Sequence, residues 1–199
     1  PSGLPLRYRP DELLAVFRNG IGFAALCSLT LIVNFINRNS ESSIMKNKIR
    51  SFLIDWAINF IKNKDIVAKK IEKIENNKDG FDLYVKYKDR EQYFIIVADI
   101  GDIDLITQKI NNNHYFSIVT LNSKANFDAM LKNWDKLINF RFLSIIYVHP
   151  FSGLDKKWIV FPYTHHKISD DSSLKNGLKA IFEMVEPIEE QQLIAKITG

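Results

Sequence analysis

Few of the chemically capable side chains stand at a spacing that a known chemistry needs. His165-His166, followed by Asp170-Asp171, offers imidazole and carboxylate ligands of the kind that suit zinc or manganese. Adjacent residues of an extended segment face opposite ways, so this stretch is expected to be a solvated turn. Asp99, Asp102 and Asp104 gather oxygens for a cation, yet the spacing and closing glutamate of a calcium loop are absent, and capping of a short helix is the expected use. Lys69, Lys70, Lys73, Lys86 and Lys88, if presented together, form a basic face able to meet nucleic-acid phosphates in a nonspecific, salt-sensitive way; the same pattern also serves solubility alone. Trp56, Trp134 and Trp158 fall at packing positions, and His114 and His149 at strand edges. Glycine-rich phosphate loops, the Gly-x-Ser-x-Gly elbow and the zinc-protease helix are missing, so no nucleotide cofactor is expected.

The elements that must position these residues centre on Asp79 to Asp99. Phe81, Leu83, Val85 and Tyr87 alternate with Asp82, Tyr84, Lys86 and Lys88, the period-two pattern of a half-buried strand with an apolar and a polar face. A polar turn at 88–92 leads to Tyr93–Val97, apolar on both faces as in a covered strand. Before this hairpin, Ile49, Phe52, Leu53, Trp56, Phe60 and Ile61 make one helical stripe over 46–62. Residues 66–75 suit either a helical turn or a lysine-rich edge strand, the latter preferred.

Further along, 101–109 reads as a turn with a short helical piece and 114–121 as a strand. Ser123 can cap a helix bearing Phe127, Met130, Leu131, Trp134, Leu137 and Ile138. The strand 142–148 then completes a parallel crossover. Residues 158–163 form a last strand with Pro162 near its end. Asp171, Ser172 or Ser173 can cap a final helix that stops at Glu186-Pro187. The expected fold is α/β, a single mixed sheet of five or six strands flanked by helices.

This order of helix, strand meander, helix and strand over residues 46–148 resembles the restriction-endonuclease-like, or PD-(D/E)xK, nuclease superfamily. The resemblance implies a carboxylate at Asp82 and a second at Asp99, with Lys86 standing in from a neighbouring strand as the catalytic lysine. Together Asp82 and Asp99 would hold magnesium or manganese, polarising a scissile phosphate, if the domain were an active metal-dependent nuclease. The acidic-x-lysine pair itself is missing: the second strand reads Ile96-Val97-Ala98-Asp99 and continues Ile100-Gly101. The resemblance therefore implies a non-catalytic relative that binds nucleic acid or a protein partner, with no cofactor. The alternative is an interaction module without enzymatic role.

Composition sets the frame. With 199 residues, 46% hydrophobic and 25% charged, the chain can bury one core, and a net charge of +4 permits anionic partners without demanding them. One cysteine, Cys27, excludes intrachain disulfides and cysteine-based metal clusters and fits a reducing, cytoplasmic setting. Up to Ile44 every basic residue is arginine, whereas from Met45 lysine outnumbers arginine 20 to 3. Residues 1–44 thus read as a separate part: extraneous translated sequence, a membrane-anchor-like segment at 20–36, or an added amphipathic helix, joined by a polar linker at 37–43. The domain proper is 45–187, and 188–199 a tail.

Overall fold

The computed structural model describes residues 23–153 and 156–198. A helix, α1 (Phe23–Asp65), opens the described chain. Residues 37–43, expected as a linker, are helical and lie within it. The chain divides into two compact units, Pro1–Ile44 and Met45–Gly199. The start of the apolar stretch 20–36 lies outside the described residues, among which no helix is long and apolar enough to cross a membrane. The second unit carries the sheet.

Six strands form one mixed open sheet in sequence order: β1 (Ile71–Lys78), β2 (Phe81–Tyr87), β3 (Glu91–Ile96), β4 (Tyr115–Leu121), β5 (Leu143–Val148) and β6 (Lys157–Val160). β1, β2 and β3 are an antiparallel meander, β3, β4 and β5 run parallel, and β6 returns antiparallel. The β1–β2 turn is Asp79-Gly80, both with positive φ (53° and 79°), the conformation that an Asp-Gly pair supplies in a two-residue hairpin. β1, the expected lysine-rich edge strand, stands at the sheet edge, beginning at Ile71.

Each face of the sheet has its own core. On one, Ile49, Leu53, Ala57 and Ile61 of α1 lie fully buried against Leu83, Val85, Phe94, Ile96, Val119 and Ile146. Their spacing of four residues sets one stripe toward the sheet, and each large side chain so buried stabilises by roughly 1.5–3 kcal/mol. The other face carries the short helices α2 (Ile103–Thr107), α3 (Lys124–Lys132) and α4 (Trp134–Leu137) on Phe116, Ile118, Ile145 and Tyr147. Ser123 caps α3 as expected, accepting from the Asn126 amide at 3.2 Å. The expected single helix breaks at Asn133, whose side chain bonds back to the Ala129 carbonyl.

The C-terminal part departs further from the sequence reading. Pro162 opens helix α5 (Pro162–Ile168), where its missing N–H costs nothing, so the last strand ends at Val160 and His165-His166 are helical. Helix α6 (Asp171–Met184) is capped by Asp170, one residue before the expected caps; its carboxylate accepts from the Ser173 amide at 3.0 Å, and that bond holds it below the usual carboxylate range. The expected tail contains helix α7 (Glu190–Thr198), with Ile188 and Leu193 completing the α1-side core. An apolar i, i+4 pattern as short as this one becomes a helix through burial more than through propensity.

Candidate functional site

The sheet has two ends with polar side chains at each. At the C-terminal ends of β3, β4 and β5 stands Asp82, on the strand face expected to be polar and solvated, yet only 6% exposed. The paired register of β2 and β3 stops at Leu83 and Phe94. Beyond it the Ile96 amide finds its acceptor in the Asp82 carboxylate, 2.6 Å away, and the other Asp82 oxygen takes the Arg50 guanidinium from α1. Asp99 follows β3 in a loop, exposed, accepting from the Gly101 amide at 2.8 Å. Lys86 lies toward the opposite end of β2 and pairs with Glu72 at 3.1 Å, which raises its pKa.

No hydrogen bond or ion pair joins Asp82, Asp99 and Lys86 to one another. Among the described residues no three His, Cys, Asp or Glu side chains gather as a metal-binding group. A magnesium- or manganese-sized cation needs several oxygen ligands, and Asp82, with a guanidinium on one oxygen and an amide on the other, does not fit that role.

The same end is sutured by two buried asparagines. Asn126 accepts from the Ile100 amide at 3.0 Å and donates to Ala98 O, Thr120 Oγ1 and Leu121 O. Asn122 accepts from Trp158 Nε1 at 2.7 Å and donates to the Phe182 and Val185 carbonyls at the end of α6. His149 is buried as well, its Nδ1 2.7 Å from the Glu186 carbonyl. Asp102 caps α2, and Asp104 pairs with Lys136, so the acidic cluster serves local structure.

The opposite end, at the N-terminal ends of β3–β5 and the C-terminal end of α1, opens into a pocket of about 710 Å³. Its floor is a polar row on an otherwise apolar face. Gln92 Nε2 donates to Ser117 Oγ at 2.7 Å, Ser117 and Ser144 hydroxyls are 2.6 Å apart, and Ser144 donates to the Phe116 carbonyl at 3.4 Å. One wall is aromatic and cationic: the Arg90 guanidinium lies 4.6 Å from the Tyr87 ring and 5.6 Å from that of Tyr115, Tyr115 packs on Phe142 at 4.7 Å, and Arg141 sits over Phe142.

Lys64 and Lys70 complete four cations around the pocket, against one lining carboxylate, Asp65. The amides of Ile71 and, less strongly, Lys70 hold Asp65 below its ordinary range. Outside the lining, Asp89 pairs with Lys70 at 3.1 Å and Arg90 at 3.5 Å, exposed contacts worth little. Lys64 and Arg141 have no carboxylate within 4.0 Å among the described residues.

Of the lysines expected to meet nucleic acid, only Lys70 lines this pocket. Lys73 pairs with Glu75 and Lys86 with Glu72, while Lys69 and Lys88 are exposed beyond its rim. The sequence reading does not reach Arg90, Arg141, Gln92, Ser117 or Ser144. Two signals point to them: a serine within each of two largely apolar strands, and arginine as the rare cation of a lysine-rich domain. Comparison with protein-family models, curated proteins and solved structures finds no match.

Proposed function

We propose that this domain is a non-catalytic nucleic-acid-binding module with a nuclease-like order of elements. The succession of helix, antiparallel meander, helix and parallel strand supports the kinship. The partnering of Asp82 by Arg50 supports loss of the chemistry, because a buried carboxylate matched to a guanidinium and a backbone amide is a structural group. The observation that carries the binding role is the pocket, where Arg90 and Arg141 stand beside the rings of Tyr87, Tyr115 and Phe142. Guanidinium groups pair with phosphate oxygens, and flat rings accept bases, so this wall matches the two repeating parts of a nucleic-acid chain.

The test is fluorescence anisotropy of labelled oligonucleotides across a salt series. Affinity should fall with a log–log slope of about −0.7 for each phosphate contact on a single strand, and Arg90→Ala with Arg141→Ala should flatten it. An absence of binding at low salt removes the role. A magnesium- or manganese-dependent cleavage that disappears in Asp82→Ala would show that the chemistry is intact.

A further inference from the structure

A basic surface alone would suffice to hold phosphates, but this pocket is concave and has a polar floor. We infer that it takes one unstacked nucleotide of a single strand, its base inside the pocket and its flanking phosphates at the mouth. The inference rests on the nucleic-acid reading and sharpens it to a strand type and a seat. At about 710 Å³ the pocket lies within the roughly 300–1,000 Å³ of sites that enclose a small molecule, ample for one base and its sugar. A duplex offers no protruding base to fill such a hollow, since its bases are read from the grooves by elements that project into them.

The floor has the chemistry to meet a base edge. Donation runs from Gln92 to Ser117, from Ser117 to Ser144 and from Ser144 to the Phe116 carbonyl, an order that gives each hydroxyl hydrogen an acceptor. Ser117 and Ser144 are 1% and 7% exposed, so these hydroxyls are inside the protein and fix the Gln92 carboxamide from below. The Gln92 Oε1 and its second amide hydrogen then have no protein partner among the described residues. A donor beside an acceptor is the pattern with which amide side chains pair with bases.

The walls supply the rest. Tyr115 and Phe161, which line the pocket, keep 40% and 45% of their surface exposed, large aromatic faces of the kind on which unpaired bases stack. Arg141 and Lys64, without carboxylate partners among the described residues, stand ready for the phosphates on either side.

The deciding experiment measures anisotropy of the full chain with four probes. These are a labelled single-stranded DNA decamer, the same sequence as a duplex, a decamer of abasic units carrying the same phosphates, and a free nucleoside monophosphate as competitor. The single strand should bind about tenfold or more tighter than the duplex and the abasic strand, the worth of one stacked base. Tyr115→Ala should lower single-strand affinity by about the same factor and leave the abasic strand unchanged, whereas Arg141→Ala should weaken both alike. Phe161→Ala, checked for folding by circular dichroism, is the second stacking variant. Equal binding of all three polymers would overturn the seated base while leaving nucleic-acid binding in place. A monophosphate that binds as tightly as the decamer would mark a site for free nucleotides and overturn the strand. Binding to none of the polymers removes both readings.

Discussion

The two ends of the sheet are built from the same strands and treat their polar side chains in opposite ways. At the C-terminal ends of β3–β5, Asn122 and Asn126 direct their amides chiefly at backbone groups, and Asp82 is matched by Arg50 and the Ile96 amide. At the other end Gln92, Ser117 and Ser144 bond chiefly to one another and leave a carboxamide facing a pocket. The first arrangement closes backbone that the sheet could not satisfy by itself. The second satisfies little backbone, a pattern that the proposed binding role accounts for. Ligand sites of open α/β sheets usually lie beyond the carboxyl ends of the strands, and here that end is the sutured one.

The contrast makes predictions that can break it. The largest is for Asn126→Ala, which removes four buried bonds at once and leaves the Ile100 amide without its acceptor, although the Ala98 and Leu121 carbonyls keep Thr120 Oγ1 and the Ser123 amide. Denaturant unfolding should show a loss of about 2–4 kcal/mol, with oligonucleotide affinity of the folded protein unchanged. Asp82→Ala comes next: the Ile96 amide loses its acceptor, and a cost of about 1–3 kcal/mol is expected by the same measurement. A stability equal to that of the parent would mean that Asp82 is not structural, and would reopen its part in chemistry.

At the open end the effects on stability should be smaller. Asp65, held low by the Ile71 and Lys70 amides, stabilises the fold while it is ionised. Because its folded pKa lies below the unfolded value of 3.8, that contribution is complete above 3.8 and is lost as pH falls through the folded value. A pH series of thermal unfolding should therefore show Asp65→Asn converging with the parent only in acid. The smallest stability effect belongs to Ser117→Ala with Ser144→Ala. Both hydroxyls of the pair vanish together, and the change should stay within about 0.5 kcal/mol while base-dependent binding falls. A loss as large as that of Asn126→Ala would make these serines sutures too.

Much of the fold is legible in local pattern. Alternation in β2, the nearly continuous apolar runs over Tyr93–Ile96 and in β5 and the four-residue spacing along α1 each report a face that must be buried, and burial is their physical cause. The misreadings share a different cause. Asp82 and Tyr84 lie on the face read as solvated, but Tyr93 and Lys78 cover Tyr84, and Asp82 answers an amide on the next strand. Pro162 reads as part of a strand because a proline at a strand end and a proline at a helix start look alike until the residues that follow it are seen to be helical.

The pocket is harder to see than the fold. Gln92, Ser117 and Ser144 come from three strands, and Arg90 and Arg141 from separate turns, so nothing in their spacing along the chain joins them. In a domain whose basic residues are otherwise lysine, the three arginines after Met45 stand at Asp82 and at the pocket. Guanidinium stacks on rings and pairs in a plane, tasks that an ammonium does poorly.

Sequence by itself determined the fold class, a mixed sheet with flanking helices, and most of its strands, because apolar periodicity is a short-range record of which side of each segment must leave water. Tertiary structure alone decided that Asp82 meets Arg50 and that a glutamine, two serines and two arginines share one hollow. Strand register and the seating of α1 set those meetings, and both depend on pairings between residues far apart in the chain.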